Sequence, residues 1–377
     1  MSTTPAATGL ADIGTDDDSR FMLAAIRLGE RELGRTWPNP SVGALIVKDG
    51  VVVGRGWTKI GGRPHAETVA IGEARDLARG ATLYVSLEPC SHHGRTPPCA
   101  DAIIAAGISR VVSAMEDPNP EVAGQGHKRL RDAGIEVREN VLRTEAERVH
   151  AGHVFRITKQ RPFVTLKLAL SSNGKAGLSG RRPAPITGAV VRDMVHMMRA
   201  RTDAIAAGIG TVIADDAYLT CRLPGMEERS PLRVIFDSSL RLPLASHLVS
   251  TAREVPVWVV SEQGASRDNE RSLAPHGIEV IRVPLTDDGV DMAAAMGVLA
   301  EKGIGRLMVE GGPKVAAQLL KAGLVDRAII FQSPDPLPED GVDGLSAPHG
   351  TLFPQLGLNL RSRHDAGGDQ MFLYERD

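Results

Sequence analysis

The sequence predicts two α/β domains in tandem, and three observations carry that prediction. The chain has 377 residues, more than one ordinary hydrophobic core encloses. Short apolar runs of strand length alternate with amphipathic runs of helix length from Ser19 to Gly323. The alternation breaks at Arg161-Pro162, where a helical pattern stops and a new strand pattern begins. The layout expected is a disordered polar tail over 1–17, a first domain over 18–159 and a second over 160–377.

In order, Ser19–Leu33 reads as an amphipathic helix with an acidic start and Gly34 as its stop. Val42–Val47 and Val51–Trp57 are strand-like runs joined by Lys48-Asp49-Gly50, a hairpin signal. Glu67–Leu77 is helical, Ala81–Leu87 a strand, and Cys99–Ala106 a helix ended by Gly107. Arg110–Met115, Gly126–Ala133 and Ile135–Arg138 continue the alternation, and Thr144–Lys159 closes the domain as a helix. Helices covering a mixed sheet are the packing such an order implies. In the second half, Phe163–Leu170 opens as a strand, a helix spans Val190–Arg201, and a Gly-rich turn follows. Strands at Leu232–Phe236, Val255–Val260 and Arg306–Val309 alternate with helices at Met292–Lys302 and from Pro313 towards Gly323. That order predicts a largely parallel sheet.

Composition excludes several classes of function. A net charge of −2 leaves no electrostatic footprint for nucleic acid or an anionic membrane. Aromatic residues at 3% supply no stacking platform for single strands. The acidic start has no basic or apolar leader segment, and no apolar run approaches a membrane span. Three cysteines in so long a chain speak for a reducing, cytoplasmic setting and against a disulfide framework. Each cysteine is therefore a question about metal or catalysis.

His65-Ala66-Glu67, Glu88-Pro89-Cys90 and Pro97-Pro98-Cys99 answer it for two of them. One imidazole and two thiolates, His65, Cys90 and Cys99, supply three zinc ligands and leave the fourth tetrahedral position for water. Glu67, two residues after the histidine at the start of a helix, can reach that water without ligating the metal. The signature of zinc deaminases is H-x-E followed by P-C-x-x-C; here eight residues separate the cysteines, so the short form is not matched literally. The chemistry expected is hydrolytic deamination of a small pyrimidine, with zinc lowering the pKa of a water and Glu67 as catalytic proton shuttle. Taken singly, each cysteine reads as a small buried residue and His65 as a core histidine; the combination favours zinc. Cys221, without such neighbours, reads as packing.

Pro38-Asn39-Pro40-Ser41-Val42-Gly43, the two zinc motifs with Ser91-His92-His93-Gly94-Arg95-Thr96 between their cysteines, and Asp117-Pro118-Asn119-Pro120 stand in order. This array resembles the bifunctional pyrimidine deaminase and uracil reductase family of riboflavin biosynthesis. The insertion between the cysteines sets it apart from cytidine and transfer-RNA adenosine deaminases. The resemblance implies a cytidine-deaminase-like α/β/α sandwich followed by a dihydrofolate-reductase-like α/β domain. It implies removal of the 2-amino group of a diamino-ribosylamino-pyrimidinone 5′-phosphate, then NADPH reduction of the ribosyl group to ribityl. It places Asn39, His92, Arg95, Asp117 and Asn119 at the pyrimidine substrate. From spacing alone, Asn39 between prolines and the Asp117–Pro120 stretch read equally as turn formers.

In the second half, Lys167–Ser171 with Gly174-Lys175, Gly208–Val212 with Asp215-Asp216, Leu219–Arg222 and Val309–Pro313 follow the same family's reductase pattern. The resemblance puts Ala169, Thr211, Asp215, Gly311 and Gly312 at NADPH, and Lys167, Arg199, Leu219, Arg222 and Glu310 at the sugar phosphate. By residue chemistry alone, Arg199 is equally a solvated helix face, Lys167 an edge-strand charge and Gly311-Gly312 a tight connection. The chain departs from the pattern at Asn173 (usually an acid), at Pro183-Ala184-Pro185 (usually Ser-x-Trp), at Ala217 (usually proline) and after Phe331. Rival readings are a monofunctional deaminase whose second domain only binds or assembles, a nucleoside or nucleic-acid deaminase, and a structural zinc module. Failure to bind NADPH, activity on cytidine or RNA, and a fourth protein ligand would favour them in turn. The resemblance implies a homo-oligomer, a dimer or tetramer, with a small phosphorylated pyrimidine as substrate.

Overall fold

The computed structural model describes residues 16–92, 97–181 and 185–376, and the chain divides into two compact units between Lys159 and Gln160. Residues 1–15 of the expected tail lie outside the described residues. Asp16 and Asp17 are not tail. Asp16 caps the first helix, its carboxylate accepting from the Ser19 N–H at 2.9 Å, and Asp17 opens it.

The first unit runs α1 (Asp17–Gly29), β1 (Gly43–Lys48), β2 (Val51–Trp57), α2 (Ala66–Ala74) and β3 (Thr82–Val85). It continues through α3 (Cys99–Ala105), β4 (Arg110–Ser113), α4 (Gln125–Asp132), β5 (Glu136–Arg138) and α5 (Arg143–Thr158). The sheet order is β2-β1-β3-β4-β5, antiparallel through β2-β1-β3 and parallel beyond, a mixed sheet with helices against it. Lys48 faces Val51 across a two-residue turn, with Asp49 and Gly50 both at positive φ, as the hairpin signal requires. Small residues let α2 lie close on β2: a Cβ on Gly56 would collide with the Ala66 carbonyl, and one on Gly54 with that of Ala70. The predicted Glu67–Leu77 helix accordingly holds α geometry only to Ala74, then tightens to a 3₁₀ turn over Arg75–Ala78.

Asp18 ties the start of α1 to the sheet. Its carboxylate accepts from the Tyr84 hydroxyl at 2.7 Å, from both terminal nitrogens of Arg110 at 2.8 Å, and from Arg138. These bonds, Arg110 first, hold the Asp18 carboxyl well below the usual carboxylate range. A depressed folded-state pKa stabilises above the unfolded value, about 4, and that stability fades as pH falls below it. Asp18→Asn should therefore destabilise the first unit by about 2 kcal/mol at pH 7. In denaturant titrations, the difference from the parent chain should shrink steadily below about pH 4.

The second unit begins with β6 (Phe163–Leu170), β7 (Lys175–Gly177), α6 (Ala189–Arg199), β8 (Ala204–Gly208), α7 (Ile209–Asp215) and β9 (Leu232–Phe236). Then follow α8 (His247–Ser250), β10 (Val257–Glu262), α9 (Arg267–Leu273), β11 (Glu279–Val283), β12 (Leu285–Thr286) and β13 (Gly289–Val290). It ends with α10 (Met292–Glu301), β14 (Arg306–Val309), α11 (Pro313–Lys321), β15 (Arg327–Gln332), β16 (Val342–Asp343), α12 (His349–Gln355), β17 (Leu358–Ala366) and β18 (Asp369–Arg376). The main sheet has the order β11-β10-β9-β8-β14-β6-β15-β18-β17, parallel except at β15-β18-β17. The loops after β6, β14, β8 and β9 thus emerge along one edge, where open parallel sheets bind ligands. β10 starts two residues later than the sequence suggests, because Pro256 has no N–H to give the ladder. No helix among the described residues is long and apolar enough to cross a membrane.

Candidate active sites

In the first unit, the N-terminus of α2, that of α3 and the loop after β3 bring the three expected ligands, His65, Cys99 and Cys90, together. The His65 Nδ1 lies 3.3 Å from the Cys99 Sγ and 3.7 Å from the Cys90 Sγ, and all three donor atoms fall within 4.8 Å of one another. Tetrahedral zinc with ordinary Zn–N and Zn–S bonds spaces such atoms by about 3.6 Å. The donor set fits zinc in identity and spacing. The backbone N–H of Cys99 donates to the Cys90 sulfur at 3.3 Å, fixing one ligand with the helix end that carries the other.

Charge at this point is contested, as a cation site requires. Hydrogen bonding from the Cys99 thiol pushes Cys90 down to about 4, with His65 helping. The Cys90 thiolate in turn pushes Cys99 up. Glu67, 4% exposed, is pushed up to about 7, by burial first and by the Cys90 charge second. A buried carboxyl poised near neutrality beside three metal donors is suited to moving protons.

The expected pyrimidine residues are placed unevenly. The Asn39 amide donates to the Gly62 carbonyl at 2.9 Å, close in sequence to His65, while its backbone closes a turn with Thr36. Asp117 is buried, and its carboxylate accepts from His153 Nε2 at 3.0 Å and from the Asn119 N–H at 2.9 Å. Burial opposes its charge, but His153 outweighs that and keeps the carboxyl below its usual range. The Asn119 side chain accepts from the Glu121 N–H at 3.1 Å, so it serves the turn. His92 is exposed, and Arg95 lies outside the described residues.

Two residues not assigned any role from sequence hold this region. Glu88 is buried and collects four backbone N–H groups, those of Asp117 (3.1 Å), Gly124 (3.0 Å), Gly126 (2.8 Å) and His127 (3.2 Å). His153 is the other. Its sequence signal was its place on the closing helix, one turn after His150, whose Nε2 lies 3.1 Å from the Ser86 hydroxyl.

In the second unit, Glu310 at the end of β14 gathers the expected sugar-phosphate residues. Arg199 meets it with two bonds, 2.6 and 2.8 Å, and the Lys167 ammonium lies 3.9 Å away. Arg199 also donates to the Thr220 carbonyl at 2.9 Å. Burial works against the Glu310 charge, but Arg199 and Lys167 hold its carboxyl below the usual range. Burial and Arg199 push Lys167 down, and the same two causes push Arg222 down. Three cations around one carboxylate leave positive charge uncompensated, which a phosphate would supply. His196, one turn before Arg199, also reaches this loop: its Nδ1 lies 3.2 Å from both the Thr220 carbonyl and the Arg222 N–H. Leu219 is buried at φ +53, a conformation branched side chains rarely adopt and one that marks a constrained loop.

Beside this cluster a cleft of about 560 Å³ lies between the β8–α7 and β14–α11 turns. Thr211, Asp215 and Gly312 are in its wall, whereas Ala169 and Gly311 are not. A Cβ on Gly312 would stand 3.2 Å from the Thr211 hydroxyl, and one on Gly208 only 2.8 Å from Val315. The glycines keep open a cradle at the N-terminus of α11, and a dinucleotide's phosphates fit such a cradle. The departures at Asn173 and after Phe331 meet each other. Asn173 donates to the Leu337 carbonyl (2.8 Å) and the Glu339 carboxylate (3.2 Å), and accepts from the Ser171 hydroxyl (2.7 Å) and the Leu337 N–H (3.1 Å). An aspartate could make neither donation and would repel Glu339, so the amide suits this particular loop. Of Pro183-Ala184-Pro185, the first two lie outside the described residues. Cys221 is buried, in keeping with packing.

Comparison with known proteins agrees with both halves. A family model of the cytidine and deoxycytidylate deaminase zinc-binding region matches residues 15–115, and one of the RibD C-terminal domain matches 162–343. The riboflavin biosynthesis protein RibD of Aquifex aeolicus is 41% identical over 319 residues, covering 84% of this chain and 87% of that protein. RibD of Escherichia coli is 39% identical over 334 residues, covering 86% and 89%. Among solved structures, Acinetobacter baumannii RibD (form 1) matches with a TM-score of 0.85 at 34% identity, covering 96% of this chain and 99% of that one. A Thermotoga maritima diaminohydroxyphosphoribosylaminopyrimidine deaminase and uracil reductase matches with a TM-score of 0.82 at 34% identity, covering 95% and 98%.

Proposed function

The chain belongs to the RibD family of riboflavin biosynthesis, a bifunctional deaminase and reductase, and from that premise we propose how its own residues divide the work. It deaminates the diamino-ribosylamino-pyrimidinone 5′-phosphate and then, with NADPH, reduces the ribosyl group to ribityl. The observation that carries the assignment of residues is the His65, Cys90 and Cys99 cluster with Glu67 buried beside it.

In the deaminase unit, His65, Cys90 and Cys99 would hold zinc, which would supply Lewis acidity. Glu67 would accept a proton from the attacking water and pass it to a ring nitrogen of the pyrimidine, then take the proton left on the added hydroxyl and give it to the departing amino group. Its burial beside the three metal donors places one carboxyl where it can serve each of these transfers. Asn39 offers an amide edge to the base, and Asp117, kept ionised by His153, accepts from an amino group. Arg95, His92 and Asn119 complete the pocket on the strength of the motif.

In the reductase unit NADPH supplies the hydride. Lys167, Arg199 and Arg222 bind the sugar phosphate, with Glu310 holding the first two in place and Leu219 shaping the loop. Thr211, Asp215 and Gly312 line the cleft that would take the cofactor, and Gly311 and Ala169 are assigned to it on the family pattern alone. A cytoplasmic homo-oligomer is the setting we assign, on the three free cysteines and the family likeness.

The test uses purified chain with the diamino-pyrimidine phosphate. Ammonia should appear with or without NADPH, and the ribityl product only with it. Ammonia release without any NADPH oxidation would reduce the second unit to a binding module.

A further inference from the structure

Arg233, on β9, is completely buried, and neither reaction assigned above uses it. Side chains alternate along a strand, so it shares a face with Ile235, which packs in the apolar core with Leu219, Leu248 and Val249. Oxygens without charge surround the guanidinium. Nη1 donates to the Tyr218 carbonyl at 3.2 Å and the Thr251 hydroxyl at 2.9 Å. Nη2 donates to the carbonyls of Leu248 at 3.4 Å, Thr251 at 3.1 Å and Val255. Burial pushes Arg233 down to about 10, and Glu254 offsets part of that through space alone. A cation buried without a carboxylate partner is costly, and an apolar side chain would fill this core at less cost. What an apolar side chain could not do is hold the Tyr218 carbonyl.

That carbonyl opens the strap that carries two of the sugar-phosphate residues, Leu219 and Arg222. Other bonds fix the rest of it: Arg199 donates to the Thr220 carbonyl, the Cys221 N–H donates to the Ser230 hydroxyl at 3.1 Å, and the Arg222 N–H donates to His196 Nδ1. The Tyr218 carbonyl and the Leu219 nitrogen belong to one rigid peptide plane, so a bond that orients the oxygen also sets the turn into Leu219. Leu219 holds φ +53, a conformation that persists only where its surroundings impose it. Arg233 supplies that constraint, and its other four bonds anchor it to the 248–255 segment around α8.

We propose that Arg233 is a positioning residue for the reductase substrate: it orients the Tyr218–Leu219 peptide from within the core and so sets where Arg222 meets the sugar phosphate. The proposal rests on the reading of Leu219 and Arg222 as sugar-phosphate residues of the second unit. Arg233 has no exposed surface and is absent from the wall of the cofactor cleft, so it touches neither substrate nor NADPH. Its removal therefore acts on substrate affinity and spares the cofactor.

Steady-state kinetics of the full chain with deaminated substrate, alongside calorimetric titration with NADPH, tests this. Arg233→Met, which keeps most of the length and loses the bonds, should raise KM for the phosphorylated substrate roughly 10- to 100-fold. Its kcat and its affinity for NADPH should each stay within about threefold of the parent. A residue that only supported the fold would lower the active fraction, and hence the apparent kcat, while molecules still folded kept their KM. With dephosphorylated substrate, kcat/KM of Arg233→Met should match the parent, because the group held by the strap is gone. Arg233→Lys, which keeps a cation but not the fork, should fall between the two. Retained NADPH binding reports a folded second unit; should Arg233→Met fail that check, Arg233→Lys carries the same comparison. A lowered kcat at unchanged KM, an equal loss for both substrates, or a unit that folds with neither variant would overturn the proposal. A parent that uses both substrates with one KM would remove the sugar-phosphate reading itself.

Discussion

Glu67→Gln should keep its zinc and lose its deaminase. The side chain is one of the most enclosed acids in the first unit, and glutamine keeps its volume while removing the ability to carry a proton. Elemental analysis should find the metal content unchanged, since His65, Cys90 and Cys99 are untouched. Ammonia release should fall by between about a hundredfold and ten-thousandfold, the usual share of a positioned acid–base group. NADPH-dependent reduction of supplied deaminated substrate, performed by the other unit, should persist. The pH dependence carries a sign that can be worked out. Burial and the Cys90 thiolate lift Glu67 to about 7, and a bound cation pulls it down again. Glu67 must be ionised to accept the first proton. The acid limb of kcat/KM in the parent should therefore lie below pH 7. A variant that still releases ammonia at the parent rate would remove Glu67 from the proton path.

The zinc ligands were legible because the chemistry imposes residue type and order, and both survive in a linear string. The eight-residue gap between Cys90 and Cys99 did not obscure them, since Pro98 still starts a helix at Cys99. The β8 strand was not legible. Ala204–Gly208 has a single branched residue, Ile205, among alanines and a glycine, and it forms a strand because it is buried between β9 and β14. Its small side chains are needed where they stand, since Gly208 packs on Val315. β17 and β18 were missed for a related reason: Arg361, Arg363 and His364 are all exposed on an outer strand, which erases the alternation of apolar and polar residues, and the pairing that orders them is tertiary. At the reductase cluster, sequence gave the cations but not their common partner geometry. Arg199 and Glu310 are 111 residues apart, and only the sheet order makes them a pair.

Glu88 is the strongest case of a functional region held by a residue whose importance is invisible in the string, and its removal has the second large expected effect. It stands two positions before Cys90, yet its carboxylate binds backbone groups from Asp117 to His127, about thirty to forty residues on. Its bonds there are to backbone N–H groups, with the buried His127 imidazole 4.0 Å away, and backbone donors leave no charge pattern or spacing that announces the contact. The start of α4 packs so tightly here that a Cβ on Gly126 would strike the Pro89 carbonyl. Glu88→Ala would strand buried N–H donors at roughly 1–3 kcal/mol each, partly relieved by water and by loop relaxation. A net loss of about 3–5 kcal/mol follows for the first unit, near the whole margin of an ordinary domain. Glu88→Gln, which keeps one accepting oxygen but turns an amino group towards donors, should lose less, about 2 kcal/mol. The structural role predicts that both variants release zinc and ammonia-forming activity together at a lowered unfolding midpoint, while NADPH binding by the second unit keeps its own. Because Asp117 hangs from the same carboxylate, folded Glu88→Gln at low temperature should also show a raised KM with kcat less affected. Unchanged KM and unchanged midpoint in that variant would show that the 117–127 segment holds its shape without Glu88.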